Sequence, residues 1–218
     1  MKYFTFGMKN LRVTQGYNEG NHLPHWKDSK DFSDYPIDIG DKDGGRSIYF
    51  ATVDMKITAI RGIGTSMTNT IWLVATEKCK TPLGDITPFI MLTHWNDDDP
   101  YINKYKTGDI IKAGSEICLE GTDGATANHL HFVCGNAEQG CGDDIIKNSN
   151  GKWVSNGYCY RPEQILYIDK EFTNIMDTRG IDFLVKPKES DVLLKDATNE
   201  QILLELEKRL NKWEQDKD

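Results

Sequence analysis

Between about residues 13 and 133 the chain is written as short runs of β-branched and aromatic residues, cut apart by turn chemistry, with little that keeps a helical period. The runs are SIYFATVDMKITAI (47–60), NTIWLVATE (69–77), PFIMLTHW (88–95), SEICLEG (115–121) and HLHFVCG (129–135). Between them stand DKDGG, TPLGD, NDDDP and TDG. Strands this short and this closely spaced leave no room for βαβ crossovers, so they predict a mainly β fold: an antiparallel sheet or barrel-like sandwich. The stretch KTGDIIKAGSEI (106–117) reads as a tight hairpin at the edge of such a sheet.

Charge narrows what the fold can do. The formal net charge is −8 and Lys and Arg form no cluster, which excludes a protein built to grip nucleic acid through phosphates. No run approaches the length of a membrane span, and the first residues hold no apolar core of signal-peptide length. The expectation is a product made in the cytosol that does not insert into membranes. Five cysteines, Cys79, Cys118, Cys134, Cys141 and Cys159, cannot all pair within one chain and show no CxxC spacing, which favours reduced structural thiols. A metal site from Cys134, Cys141 and Cys159 matches no common zinc spacing.

One run carries chemistry. In GTDGATANHLHF (121–132), His129 and His131 are two residues apart in an extended stretch, so both imidazoles project to one face while Leu130 and Phe132 take the other. Two rings in one space suit a shared metal-centred site, although a half-wet strand can also carry such a pair. Two further segments are DYPIDIG (34–40), with two carboxylates, and MLTHWN (91–96), with a lone histidine at a strand end.

Taken in this order and at these spacings, DYPIDIG, LTHWN and the glycine-rich approach to H-L-H-F resemble the lysostaphin/LytM-type zinc metallopeptidases, which cut peptides of bacterial peptidoglycan. That family carries H-x-x-x-D, then a single His after an apolar strand, then H-x-H. VTQGY (13–17) also resembles the segment that enters the family's domain, and the likeness runs from about residue 13 to about 169. The resemblance implies one zinc ion (Zn2+), with Asp38 and His131 as ligands and His94 and His129 as catalytic histidines. It implies amide hydrolysis, with a peptidoglycan peptide as substrate. From their adjacency in sequence to these motifs, Tyr17, Trp95 and Asn96 are expected to line the peptide channel.

The chain departs from the family at one ligand. Four residues before Asp38, where the family has histidine, stands Asp34. With Asp34 as the third ligand the ion would bear two carboxylates and be a weaker Lewis acid. His22 and His25, in GNHLPHWKD, offer another source for the missing imidazole. Three functions are therefore expected in competition. The first is a zinc endopeptidase, in the setting of a bacteriophage lysin released through a holin or carried on the virion. The second is a catalytically degenerate wall-binding or tail-structural module of the same fold. The third is a plain β-sandwich binding domain without metal.

Beyond residue 169 the texture changes. Residues 170–197 read as a linker or extended arm. Thr198 and Gln201 then stand at capping-box spacing, and Ile202, Leu203, Leu206, Leu210 and Trp213 recur at three- and four-residue steps, predicting an amphipathic helix over 198–216. Such a helix either docks on the β domain or joins two copies into a homo-oligomer.

Overall fold

The computed structural model describes residues 1–40, 45–64 and 67–188. The chain divides into a unit Met1–Val185 and a second unit Lys186–Asp218. The helix expected over 198–216 lies outside the described residues.

The first unit is mainly β, as expected. Its strands are β1 (Asn10–Gln15), β2 (Ile37–Ile39), β3 (Ile48–Phe50), β4 (Met55–Arg61), β5 (Thr70–Ala75), β6 (Cys79–Thr81), β7 (Gly84–Ile86) and β8 (Pro88–Thr93). They continue with β9 (Ile110–Ile111), β10 (Glu116–Leu119), β11 (Leu130–Asn136), β12 (Ile145–Lys147), β13 (Trp153–Ser155), β14 (Cys159–Tyr160) and β15 (Asn174–Asp177). One sheet runs in the order β15-β1-β2-β11-β8-β5-β4-β9, with β14 added beside β11. All its pairs are antiparallel except β1 with β15. No helix among the described residues is long and apolar enough to cross a membrane.

The middle of the sheet is buried on both faces, which is why PFIMLT and TIWLVA read as continuous apolar runs rather than alternating ones. Period-two alternation sorts the side chains. Ile71, Leu73, Ile90, Leu92, Leu130 and Phe132 enter the main core, while Trp72, Phe89, Met91 and Val133 form a smaller core on the opposite face. His131 lies between Leu130 and Phe132 in chain order and so faces the smaller core's side. Phe132 and Leu130 are fully buried, and each such burial stabilises by about 1.5–3 kcal/mol. A slip of one residue would exchange them for the imidazoles, so the register of β11 is strongly held.

Two parts of the chain fold differently from the expectation. Residues 106–117 are not a hairpin: β9 pairs with β4, while β10 pairs with β3. The turn between them is held instead by Asp54, whose carboxylate accepts from the Ala113 amide and from Lys112 Nζ. Residues 170–185 belong to the first unit rather than to a linker. There β15 adds to the edge of the sheet beside β1, Ile168 bridges to Val185, and Ile181 and Phe183 are buried in the main core.

Candidate metal centre

All five histidines of the chain meet in one place. The rings of His22, His25 and His94 each lie within 5.8 Å of the His131 ring, centre to centre, and His129 lies 4.7 Å from His94.

The anchor is a cross-strand pair. His131 on β11 is directly opposite Asp38 on β2, with Phe132 opposite Ile37 and Leu130 opposite Ile39. The two apolar pairs turn inward and leave the polar pair on the other face, where His131 Nδ1 is 3.2 Å from Asp38 Oδ1. The same oxygen is 3.3 Å from His22 Nε2 and 3.6 Å from His129 Nε2. Burial would raise the pKa of Asp38, but hydrogen bonds and charge from His131 and His22 outweigh it and hold the carboxyl well below the usual range. Burial, first of all, lowers the pKa of His131.

Three of the rings are oriented by main-chain carbonyls. His22 Nδ1 is 3.2 Å from Gly16 O, His94 Nδ1 is 2.7 Å from Asp123 O, and His129 Nδ1 is 2.8 Å from Ala127 O. A carbonyl can only accept, so each Nδ1 carries a proton, and Nε2 is the atom left to act as a ligand or a base when the ring is neutral. Burial, with the charge of His131 next, lowers the pKa of His94 to about 4, so this ring is neutral at pH 7.

His94 sits at the end of β8 with φ +82°, a conformation that non-glycine residues rarely adopt and that costs about 1–3 kcal/mol. Its surroundings fix it there. The His94 amide donates to Asn69 O, the Asp123 amide donates to His94 O, and Asn96 Oδ1 accepts from the Thr122 amide. Gly121 packs so closely against this turn that a Cβ on it would run into His94 O and Asn96.

His22, Asp38 and His131 place one donor atom each within 4.8 Å of one another. Tetrahedral zinc with nitrogen and oxygen ligands at 2.0–2.2 Å separates its donors by about 3.3 Å. The two separations from Asp38 Oδ1, 3.2 and 3.3 Å, match that spacing. Two neutral imidazoles and one carboxylate are also an ordinary donor set for zinc, so these residues fit the ion.

Asp34 is not in this group. It is fully buried, with Oδ1 2.9 Å from His25 Nδ1 and Oδ2 accepting from the Ser155 amide at 3.0 Å. His22, and not Asp34, stands with Asp38 and His131; a donor set of these three would bear one carboxylate rather than two. Sequence spacing gave no rule for His22. One signal was present: Pro24 opens a helical turn, and residues 22 and 25, three apart, share one side of it. The three cysteines at 134, 141 and 159 form no ligand group. Cys134 is opposite Tyr160 and Cys159 opposite Gly135, so their side chains leave opposite faces and enter different cores.

Among solved structures, the chain is similar to a zinc containing peptidase from Vibrio cholerae, with 17% identity over 73% of this chain and 40% of that one and a TM-score of 0.36. It is also similar to a candidate glycyl-glycine endopeptidase lytM from Ruminococcus gnavus, with 17% identity over 81% of this chain and 63% of that one and a TM-score of 0.40. The chain spans less than two thirds of either. No family model matches it, and no curated protein does.

Beside the imidazoles lies a cavity of about 510 Å³ whose lining includes His25, Met91, His94, His131, Ile145 and Trp153. Trp153 is 60% exposed at its lip, with Lys147 Nζ 5.0 Å from the ring centre. The expected channel residues are elsewhere. Trp95 is fully buried in the main core, and the Tyr17 hydroxyl donates to Glu163. Asn96 serves the turn that holds His94.

Proposed function

We propose that this protein is a zinc-dependent endopeptidase that hydrolyses amide bonds in peptides of bacterial peptidoglycan. The observation that carries the proposal is the convergence of His22, Asp38 and His131 on one point, with the Nε2 side of His129 turned to the same carboxylate oxygen and the His94 ring packed against both His129 and His131. The substrate class comes from the sequence resemblance.

A zinc ion in this donor set would supply Lewis acidity at a scissile carbonyl. The chain's own residues do the rest. His94 and His129 each commit Nδ1 to a carbonyl, which leaves Nε2 as the atom that, on a neutral ring, takes the proton of an attacking water. Once protonated, the same Nε2–H is a donor for the developing oxyanion. The cavity lined by Met91, Ile145 and Trp153 runs from these rings and gives the peptide an apolar wall.

The reading as a degenerate binding module drew its main support from Asp34 as a ligand and some from the helix expected over 198–216, which lies outside the described residues. With His22 in the set, the donor chemistry gives no reason to prefer it. The test is digestion of purified peptidoglycan by the zinc-loaded protein. New amino termini, abolished by a chelator and restored by zinc, are expected; none under any divalent metal would overturn the proposal.

A further inference from the structure

A histidine that reaches the metal from outside the expected motif must be delivered by something. His22 lies at the end of the 3-10 turn Gly20–His22, which runs into a single helical turn, Leu23–Trp26. One turn of helix cannot hold itself together, since forming it fixes several residues for each hydrogen bond gained. Beyond the bonds inside the two turns, the main chain here is tied by the His22 amide to Glu19 O and the Lys27 amide to Leu23 O.

Residues 16 and 17 support it from one side, where His22 Nδ1 meets Gly16 O and Trp26 Nε1 donates to Tyr17 O, and on the other side it is held by the hairpin of β12 and β13, more than a hundred residues away in sequence. Asn148 Nδ2 donates to Pro24 O at 3.2 Å and to His25 O at 3.0 Å. Asn150 Nδ2 donates to Pro24 O at 3.0 Å and to Lys27 O at 2.7 Å. These are carbonyls at the end of a helix, which have no partner within it. Asn148 is itself buried, and its Oδ1 accepts from the amides of Asn150 and Lys152. The far end of the hairpin adds a second brace: the Ser155 amide holds Asp34, and Asp34 holds the His25 ring.

We propose that the β12–β13 hairpin positions His22 for the metal, with Asn148 and Asn150 as the positioning residues and the Asp34–His25 pair as the second point of attachment. The inference rests on the metal reading above. It gives Asp34 a different part from the one its spacing suggested: it braces the segment that carries the ligand.

The test is zinc affinity, measured by competition with a chromophoric chelator, for wild type, Asn148→Ala, Asn150→Ala and Asn156→Ala. Thermal unfolding of each metal-free protein is recorded alongside. Asn156 is a control on the same hairpin, since its Oδ1 serves the amides of Asp143 and Asp144 and not the His22 segment. Loss of an outer support of a metal ligand commonly weakens affinity by about 10–100-fold. That range is expected for Asn148→Ala, with a smaller loss for Asn150→Ala and none for Asn156→Ala. A purely structural hairpin would lower the unfolding temperature but leave the zinc affinity of the folded protein unchanged. If Asn148→Ala does not fold, the exposed Asn150→Ala decides. Wild-type affinity in the folded asparagine variants overturns the proposal, whereas wild-type protein that takes up no zinc removes the metal reading and this inference with it.

Discussion

His131 and Asp38 occupy directly opposed positions on neighbouring antiparallel strands, and the Nδ1-to-Oδ1 distance of 3.2 Å follows from that register. The pair is placed by the sheet rather than by a loop, so the two donors keep their spacing without an ion. The third donor is different, because His22 ends a 3-10 turn that runs into a single turn of helix.

Zinc should therefore stabilise the folded chain. At free zinc a hundredfold above Kd, binding to the native state alone adds about 2.7 kcal/mol, a rise in Tm of roughly 5–10 °C for a chain of this size. His22→Ala, Asp38→Ala and His131→Ala should each lose this rise in differential scanning calorimetry. An undiminished rise in His22→Ala would show that His22 is not a ligand.

Restoring the expected spacing should not help. Asp34→His places an imidazole where a buried carboxylate now accepts from Ser155 and His25, and it strands both donors. A buried donor without its acceptor costs about 1–3 kcal/mol. The variant is expected to unfold at a lower temperature and to hydrolyse peptidoglycan no faster than wild type. A gain in rate would instead identify position 34 as a detuned ligand site.

Gly121→Ala should separate catalysis from metal binding. The added methyl meets His94 O and Asn96, and a shift to relieve it costs about 1–3 kcal/mol and moves the His94 ring. Zinc affinity is expected to stay within about twofold, since no metal donor moves, while kcat falls by at least about tenfold. Unchanged kcat would show that the position of His94 is unimportant.

Trp153→Ala probes the cavity lip. A side chain 60% exposed contributes little to folding, so Tm should hardly change. KM for a peptide with an apolar residue beside the cut bond should rise roughly fivefold, about 1 kcal/mol. Equal KM values in steady-state assays of variant and wild type would mean that the peptide runs elsewhere.

How much of this could be read in the sequence depended on whether each feature was local. Apolar runs and turn residues announced the β class, and the two-residue step from His129 to His131 put both imidazoles on one side of an extended chain. Asp38 was legible only through the resemblance, at the D of H-x-x-x-D. The partners of Asp34 were not, because the Ser155 amide lies 121 residues away. Strand β15 escaped notice because all four of its residues are exposed and show no alternation. The 106–117 segment looked like a hairpin, but its two halves found better partners in β4 and β3.

The gathering of every imidazole at one point also makes the protein its own reporter. Ring-proton or ring-nitrogen spectra of untagged protein would contain five histidine spin systems, each from this one neighbourhood, with no surface imidazole to obscure them. Any reagent that modifies histidine, and any purification tag made of it, acts on or competes with the same few atoms.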